Sequence, residues 1–161
     1  MNSSKILGIE IRPARSLADF LFLRALRNRV RLKMTNHTSA IGYLQQLRFF
    51  LHRPENILVF IASANGKRAG YLLLRRHAER TFITEAVEGK YRGRGIATAM
   101  VRHAQILFTD LTAEILAENA ASISLHQATG FKRESEKKGI AVFRFVRRQP
   151  VVQGNQCSDD A

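Results

Sequence analysis

The chain predicts an α/β (α+β) domain built on a mixed, mostly antiparallel sheet flanked by helices. Three observations lead there. An Asn65-Gly66 pair, a strong hairpin signal, joins two apolar runs. Stretches with apolar residues three and four apart precede and follow those runs, as helices packed on a sheet require. Thr81 to Leu107 passes from β-branched and aromatic residues, through a loop of glycines and cations, into a helical pattern. With 161 residues and 45% of them hydrophobic, the chain can bury one substantial core. We expect one domain over residues 1–148 and a disordered tail over 149–161.

Ile6 to Ile11 alternates apolar with polar residues and reads as a first strand ending near Pro13. Ser16-x-x-Asp19 has the form of a capping box, opening a helix with Ala18, Phe22, Leu26 and Val30 along its inner face and Arg24, Arg27 and Arg31 opposite. A break at Asn36 to Ser39 precedes a second helix, with Ala40, Leu44, Leu47 and Leu51 inward and Pro54 as its stop. Ile57 to Ala62 and Gly70 to Leu74 pair as a hairpin, and a turn at His77 to Arg80 leads into a third antiparallel strand carrying Phe82, Ile83, Thr84, Ala86 and Val87.

After the glycine loop, Ile96, Met100, His103 and Leu107 share one helical face. Thr112 to Ala117 is a further strand, and Ser122 to Thr129 a short helix closed by Gly130. Phe131 to Val146 forms a last hairpin around Lys137 to Gly139, with Ala141, Phe143 and Phe145 on one face.

The longest apolar run, Ile57 to Ala62, is far short of a membrane span, and the N-terminus lacks the apolar core of a signal peptide. A cytoplasmic protein is expected. The single cysteine, Cys157, lies in the polar tail, where no intramolecular disulfide is available and no metal cluster forms around it. The net charge of +13 raises the local concentration of anionic partners without choosing among nucleic acid, acidic lipid and phosphorylated small molecules. No helix-turn-helix, zinc or aromatic RNA-binding motif supports nucleic acid. A homodimer is compatible with the chain.

Lys90 to Gly95 sets two glycines and three cations at a helix N-terminus, where free backbone N–H groups and the helix dipole favour an anion. This loop reads as a phosphate cradle. A dinucleotide fingerprint fits poorly, because Thr98 stands where a third small residue is needed, and the Gly-Lys-Ser/Thr of a P-loop is missing. Arg92-x-x-Gly95-x-Ala97 instead resembles the R/Q-x-x-G-x-G/A signature of the GNAT superfamily of N-acetyltransferases. Asn119, Ser122, Leu125, Gly130 and Phe131 resemble, in order, the later family motif N-x-x-S-x-x-L-Y-x-x-x-G-F. One position departs: His126 occupies the place of the motif's tyrosine.

The resemblance implies the GNAT fold and an N-acetyltransferase using acetyl-CoA as cosubstrate, with no metal. It implies that Arg92, Gly93, Arg94, Gly95, Ile96 and Ala97 hold the pyrophosphate of coenzyme A. Ala86 and Val87 would then pair with the pantetheine arm like an added strand, with Asn119 and Ser122 nearby. Glu85, the only acid within the central strand, lies two residues before Val87 and on the same face, which makes it a candidate general base. Glu88 and water chains are the alternatives. His126 is the candidate proton donor to the departing thiolate, since an imidazole exchanges protons near neutral pH more readily than a phenol.

In this family the segment after the first strand walls the acceptor site, so substrate choice is expected between Arg27 and His52. Leu26-Arg27-Asn28, Val30-Arg31 and Met34 resemble the opening of members that acetylate amino groups on nucleotide-linked sugars. A small anionic amine, bound by Arg27 and Arg31, is therefore the expected acceptor, with a protein amine as the alternative.

Overall fold

The computed structural model describes residues 8–35 and 38–147. Seven strands form one sheet in the order β1-β2-β3-β4-β5-β7-β6, where β1 is Ile9–Pro13, β2 Ile57–Ala64, β3 Lys67–His77, β4 Arg80–Val87, β5 Asp110–Leu116, β6 Lys132–Lys137 and β7 Ile140–Val146. Every neighbouring pair is antiparallel except β4 and β5, which run parallel and meet at the single register pair Phe82 and Thr112. Past that point the two strands have no further pairs. Four helices, α1 (Leu17–Val30), α2 (Tyr43–Leu51), α3 (Ile96–Leu107) and α4 (Ala120–Ala128), cover the sheet. The expected tail and Cys157 lie outside the described residues, as does the start of the expected first strand.

Strand β2 explains its own composition. Val59 and Ile61 turn to a core with Phe20, Leu23 and Leu26 of α1, while Phe60 and Ala62 turn to a core with Met100 and Val101 of α3. A strand covered on both faces has no polar side to show, so it reads as an unbroken apolar run. Strand β1 ends at Pro13, as expected, and as an edge strand it needs no N–H there. The Asn65-Gly66 turn has positive φ at both residues, 49° and 76°, as a two-residue type I′ hairpin demands. Gly70 answers a different need. A Cβ there would lie 2.6 Å from the carbonyl oxygen of Ala86, so β3 and β4 approach this closely only at a glycine.

The capping box at α1 forms as expected, Ser16 Oγ accepting from Asp19 N at 3.2 Å and Asp19 Oδ2 accepting from Ser16 N at 3.2 Å. Asp19 also accepts from Arg12 of β1 at 2.8 and 2.9 Å and from Nε of Arg68 of β3 at 2.8 Å. This anchor fixes the rotation of α1. The buried apolar face is Phe20, Leu23 and Leu26, whereas the expected Ala18 is exposed and Phe22 and Val30 are half-buried.

In α2 the expectation fails more completely. Leu44, Leu47 and Leu51 face solvent, Ala40 precedes the helix, and the inward residues are Gln46, Phe49 and Phe50. Phe49 and Phe50 pack on the Phe20 ring at 5.8 and 5.2 Å, and large rings bury more area here than the leucines would. On α3 the inner stripe is Ile96, Met100, Val101 and Ala104, with His103 half-buried edge-on to Phe60 at 5.0 Å. Leu107, expected inward, is exposed, since the helix ends there, past the edge of the core.

Candidate active site

Where β4 and β5 part, a cavity of about 910 Å³ opens, reached by both strands, by the start of α3, by α4 and by the α1–α2 side. Its geometry follows from the parting. Glu88 N–H bonds Ala69 O on β3 at 2.8 Å, so by strand alternation the main-chain groups of Val87 point the other way, into the gap. Val87 O indeed accepts from Arg92 Nε on that side, at 3.4 Å. Beyond Phe82 the β5-facing edge of β4 has no register partner, so groups on it such as the Val87 N–H can hydrogen-bond an extended amide chain.

At the end of that edge, a 3-10 turn at Gly89–Tyr91 and the loop beyond it deliver the chain to α3. Gly93 and Gly95 hold positive φ, 70° and 79°, and an added Cβ at either would meet nothing within 4 Å, so the loop's outer face is open. No side chain caps α3, which leaves the N–H groups of its first turn directed into the cavity mouth beside Arg92. An anion suits this place on three counts: free donors, helix dipole and guanidinium. Arg92, Gly93, Gly95, Ile96 and Ala97 line the cavity. Arg94 sits outside that lining, its guanidinium 5.9 Å from the Tyr91 ring centroid.

Helix α4 supplies the opposite wall. Asn119 caps it by accepting from Ser122 N at 3.3 Å, and both residues line the cavity. His126, 1% exposed, stands one turn further, edge-on to Phe131 at 4.9 Å. Its Nδ1 lies 2.9 Å from the carbonyl oxygen of Ser122, which can only accept, so Nδ1 carries a proton. Nε2 is therefore the atom free to exchange one. It has no hydrogen-bond partner and lies 3.8 Å from Oε2 of Glu85, whose side chain is 10% exposed. Burial pushes the Glu85 carboxyl above the ordinary carboxylate value, and attraction to a charged His126 opposes that rise.

The two candidate chemical residues, 41 positions apart in the chain, are thus brought together. Glu88, the alternative base, pairs instead with Arg29 at 2.9 Å. Glu114 of β5 also reaches the cavity and is engaged in contacts of its own.

On the α1–α2 side, Arg27 lines the cavity with Lys33 and Arg75. Arg31 does not; it is exposed and donates to Asn28 O at 3.2 Å, because it lies beyond the end of α1 and turns outward. Sequence reasoning missed Gln46 and Tyr71. Gln46 is 2% exposed and lines the cavity with an Nε2 that has no partner, and the buried Tyr71 hydroxyl, its pKa raised by that burial, donates to Met34 Sδ at 3.9 Å. The available signal for Gln46 was its place three and four residues before Phe49 and Phe50, on their side of the helix.

Residues 21–131 match the family model described as Acetyltransferase (GNAT) family. The chain belongs to the GNAT family. It is accordingly an N-acetyltransferase.

Solved structures agree on the fold. An N-acetyltransferase from Staphylococcus aureus Mu50 is 21% identical with a TM-score of 0.74, over 86% of this chain and 98% of that one. A ribosomal-protein-alanine N-acetyltransferase from Brucella melitensis is 22% identical with a TM-score of 0.70, over 85% and 99%. A GNAT superfamily phosphinothricin acetyltransferase from Sinorhizobium meliloti, solved in complex with AcCoA, is 18% identical with a TM-score of 0.73, over 90% and 94%. Comparison with curated protein sequences finds no match. Among the described residues, no helix is long and apolar enough to cross a membrane, and no group of three or more His, Cys, Asp or Glu could hold a metal ion.

Proposed function

We propose that this GNAT enzyme takes acetyl-CoA as donor and acetylates a primary amine on a small anionic acceptor, such as a nucleotide-linked amino sugar. The observation that carries the reading is the continuity of the cavity, which runs from the Arg92–Ala97 cradle past Glu85 and His126 to the cationic wall of Arg27, Lys33 and Arg75. A donor and an anionic acceptor entering from the two ends meet at the Glu85–His126 pair.

The open N–H groups at the start of α3 and the Arg92 guanidinium fit a pyrophosphate, and the free β4 edge at Val87 fits a pantetheine amide, whereas the main-chain groups of Ala86 face β3. Acetyl-CoA, when bound, supplies the acetyl group as a thioester whose leaving group is a thiolate. Glu85 accepts the proton of the attacking amine at its carboxylate, favoured by a raised pKa that brings the base closer to neutrality. His126 donates the Nε2 proton to the thiolate. The main-chain N–H of Val87 faces the gap, where it can receive developing negative charge on the carbonyl oxygen. The amine's proton then rests on Glu85 and the Nε2 proton has gone. Closing the 3.8 Å between them to hydrogen-bond distance would allow the transfer that restores the pair.

The test is a thioester-consumption screen with acetyl-CoA against nucleotide amino sugars, polyamines and N-terminal peptides. Selective turnover of an anionic amino sugar supports the reading. Turnover of peptides alone would replace it with a protein-directed acetyltransferase.

A further inference from the structure

The cavity accounts for a few of the cations, and the leucines of α2 remain unexplained. Leu44 is 83% exposed, Leu51 62%, Tyr43 69%, and Leu32, in the turn after α1, 76%. Leu44, Leu47, Arg48, Leu51 and His52 border one shallow groove, so the stripe is continuous with the Arg48 cation. Arg24 of α1 lies over the Tyr43 ring at 3.6 Å, and one helical turn before it Leu21 is exposed as well, which carries the apolar stripe from α2 onto α1. Contiguous exposed apolar surface of this kind marks an interaction site.

Charge decides what covers it. Residues 20–54 hold seven Arg and Lys and no Asp or Glu; Arg27 and Lys33 line the cavity and Arg29 pairs with Glu88, while Arg24 and Arg48 stand at the apolar stripe and Arg31 and Arg53 are exposed beside these helices. A second copy of the chain would set these arginines against their own like charges. Nucleic acid would answer the cations but gain nothing from the leucines. An anionic lipid surface answers both, since headgroups meet the arginines while the leucines enter the acyl boundary.

We propose that the α1–α2 face docks on anionic membrane, leaving the acetyl-transfer cavity on the side of α2 marked by the buried Gln46. The inference is independent of the acceptor's identity, because Leu44 and Leu51 do not line that cavity.

Sedimentation of the full chain with phosphatidylcholine vesicles, with and without phosphatidylglycerol, tests it. The wild type should bind only the phosphatidylglycerol vesicles and release as salt is raised. The double variant Leu44→Glu, Leu51→Glu should lose at least tenfold in partitioning, and Arg48→Glu should weaken it, with unfolding temperatures unchanged because all three side chains are exposed. Failure of the wild type to bind at low salt overturns the proposal. Equal binding by the leucine variant also overturns it, since the surface would then be read by charge alone. So does a wild-type dimer that the leucine variant converts to monomer without any vesicle binding.

Discussion

Nε2 of His126 lies 3.8 Å from Oε2 of Glu85, and Nδ1 of the same ring is already committed to the carbonyl of Ser122. The imidazole therefore has one working nitrogen, aimed at the one acid that burial has made more basic. His126→Phe should lower kcat ten- to a hundredfold, with partial recovery in His126→Tyr, because either a ring nitrogen or a phenol can supply the proton. Wild-type kcat in the Phe variant, with an unaltered pH profile, would make His126 a packing residue against Phe131.

Glu85 must be ionised to act as a base, and its raised value places the rising limb of kcat/KM above the ordinary carboxylate range near pH 4.3. Glu85→Gln should remove that limb and cut kcat at least tenfold. The stability effect has the opposite sign. A carboxyl whose folded pKa is raised favours folding below its unfolded pKa, and that contribution is lost as pH rises through the folded value. At neutral pH the Gln variant should therefore melt higher than wild type, and an equal or lower Tm would argue against a destabilising buried acid.

Gly95 opens α3 at φ 79° with free space around it. Gly95→Val should raise the dissociation constant for coenzyme A at least tenfold, about 1.4 kcal/mol, as the left-handed turn is strained and the branched side chain covers the N–H groups. Unchanged calorimetric affinity in the folded variant would remove the phosphate cradle from this loop.

The two arginines expected to bind the acceptor should now behave differently. Arg27→Ala should raise the acceptor's KM roughly tenfold, in a salt-dependent way, while Arg31→Ala should leave it unchanged because that guanidinium stays on Asn28 O outside the cavity. Equal effects would mean that the charge of the helix acts only as a diffuse field.

Asp19 is 1% exposed and held well below the usual carboxylate range, first by Arg12 and then by Arg68 and the backbone N–H groups of Arg15 and Ser16. Asp19→Asn should cost roughly 2–3 kcal/mol, since a buried set of charged hydrogen bonds loses its acceptor although its arginine partners stay partly solvated. The native advantage is present above an unfolded pKa near 3.9 and fades as pH falls toward the folded value. Urea midpoints of wild type and variant should converge only below about pH 4.

Much of this was legible in the chain. The capping box, the Asn65-Gly66 turn and the Arg92 to Ala97 loop are local devices, whose residues fix their own geometry within a few positions. Rotation of a helix about its axis is not local. Both α1 and α2 carry two apolar stripes, and which one turned inward depended on Arg68 reaching Asp19 and on Phe49 and Phe50 reaching Phe20. The Glu85–His126 contact needed α4 folded against the sheet, so each residue was visible as a candidate while their partnership was not.

The parting of β4 from β5 also means that the sheet is two panels, β1 to β4 and β5 to β7, joined in the plane by one register pair and bridged from above by α3. A ligand whose amides hydrogen-bond along β4 while its body rests on β5 and α4 works as a missing rung between the panels. Because such a rung exists only in the loaded, folded protein, bound coenzyme A should raise the unfolding temperature.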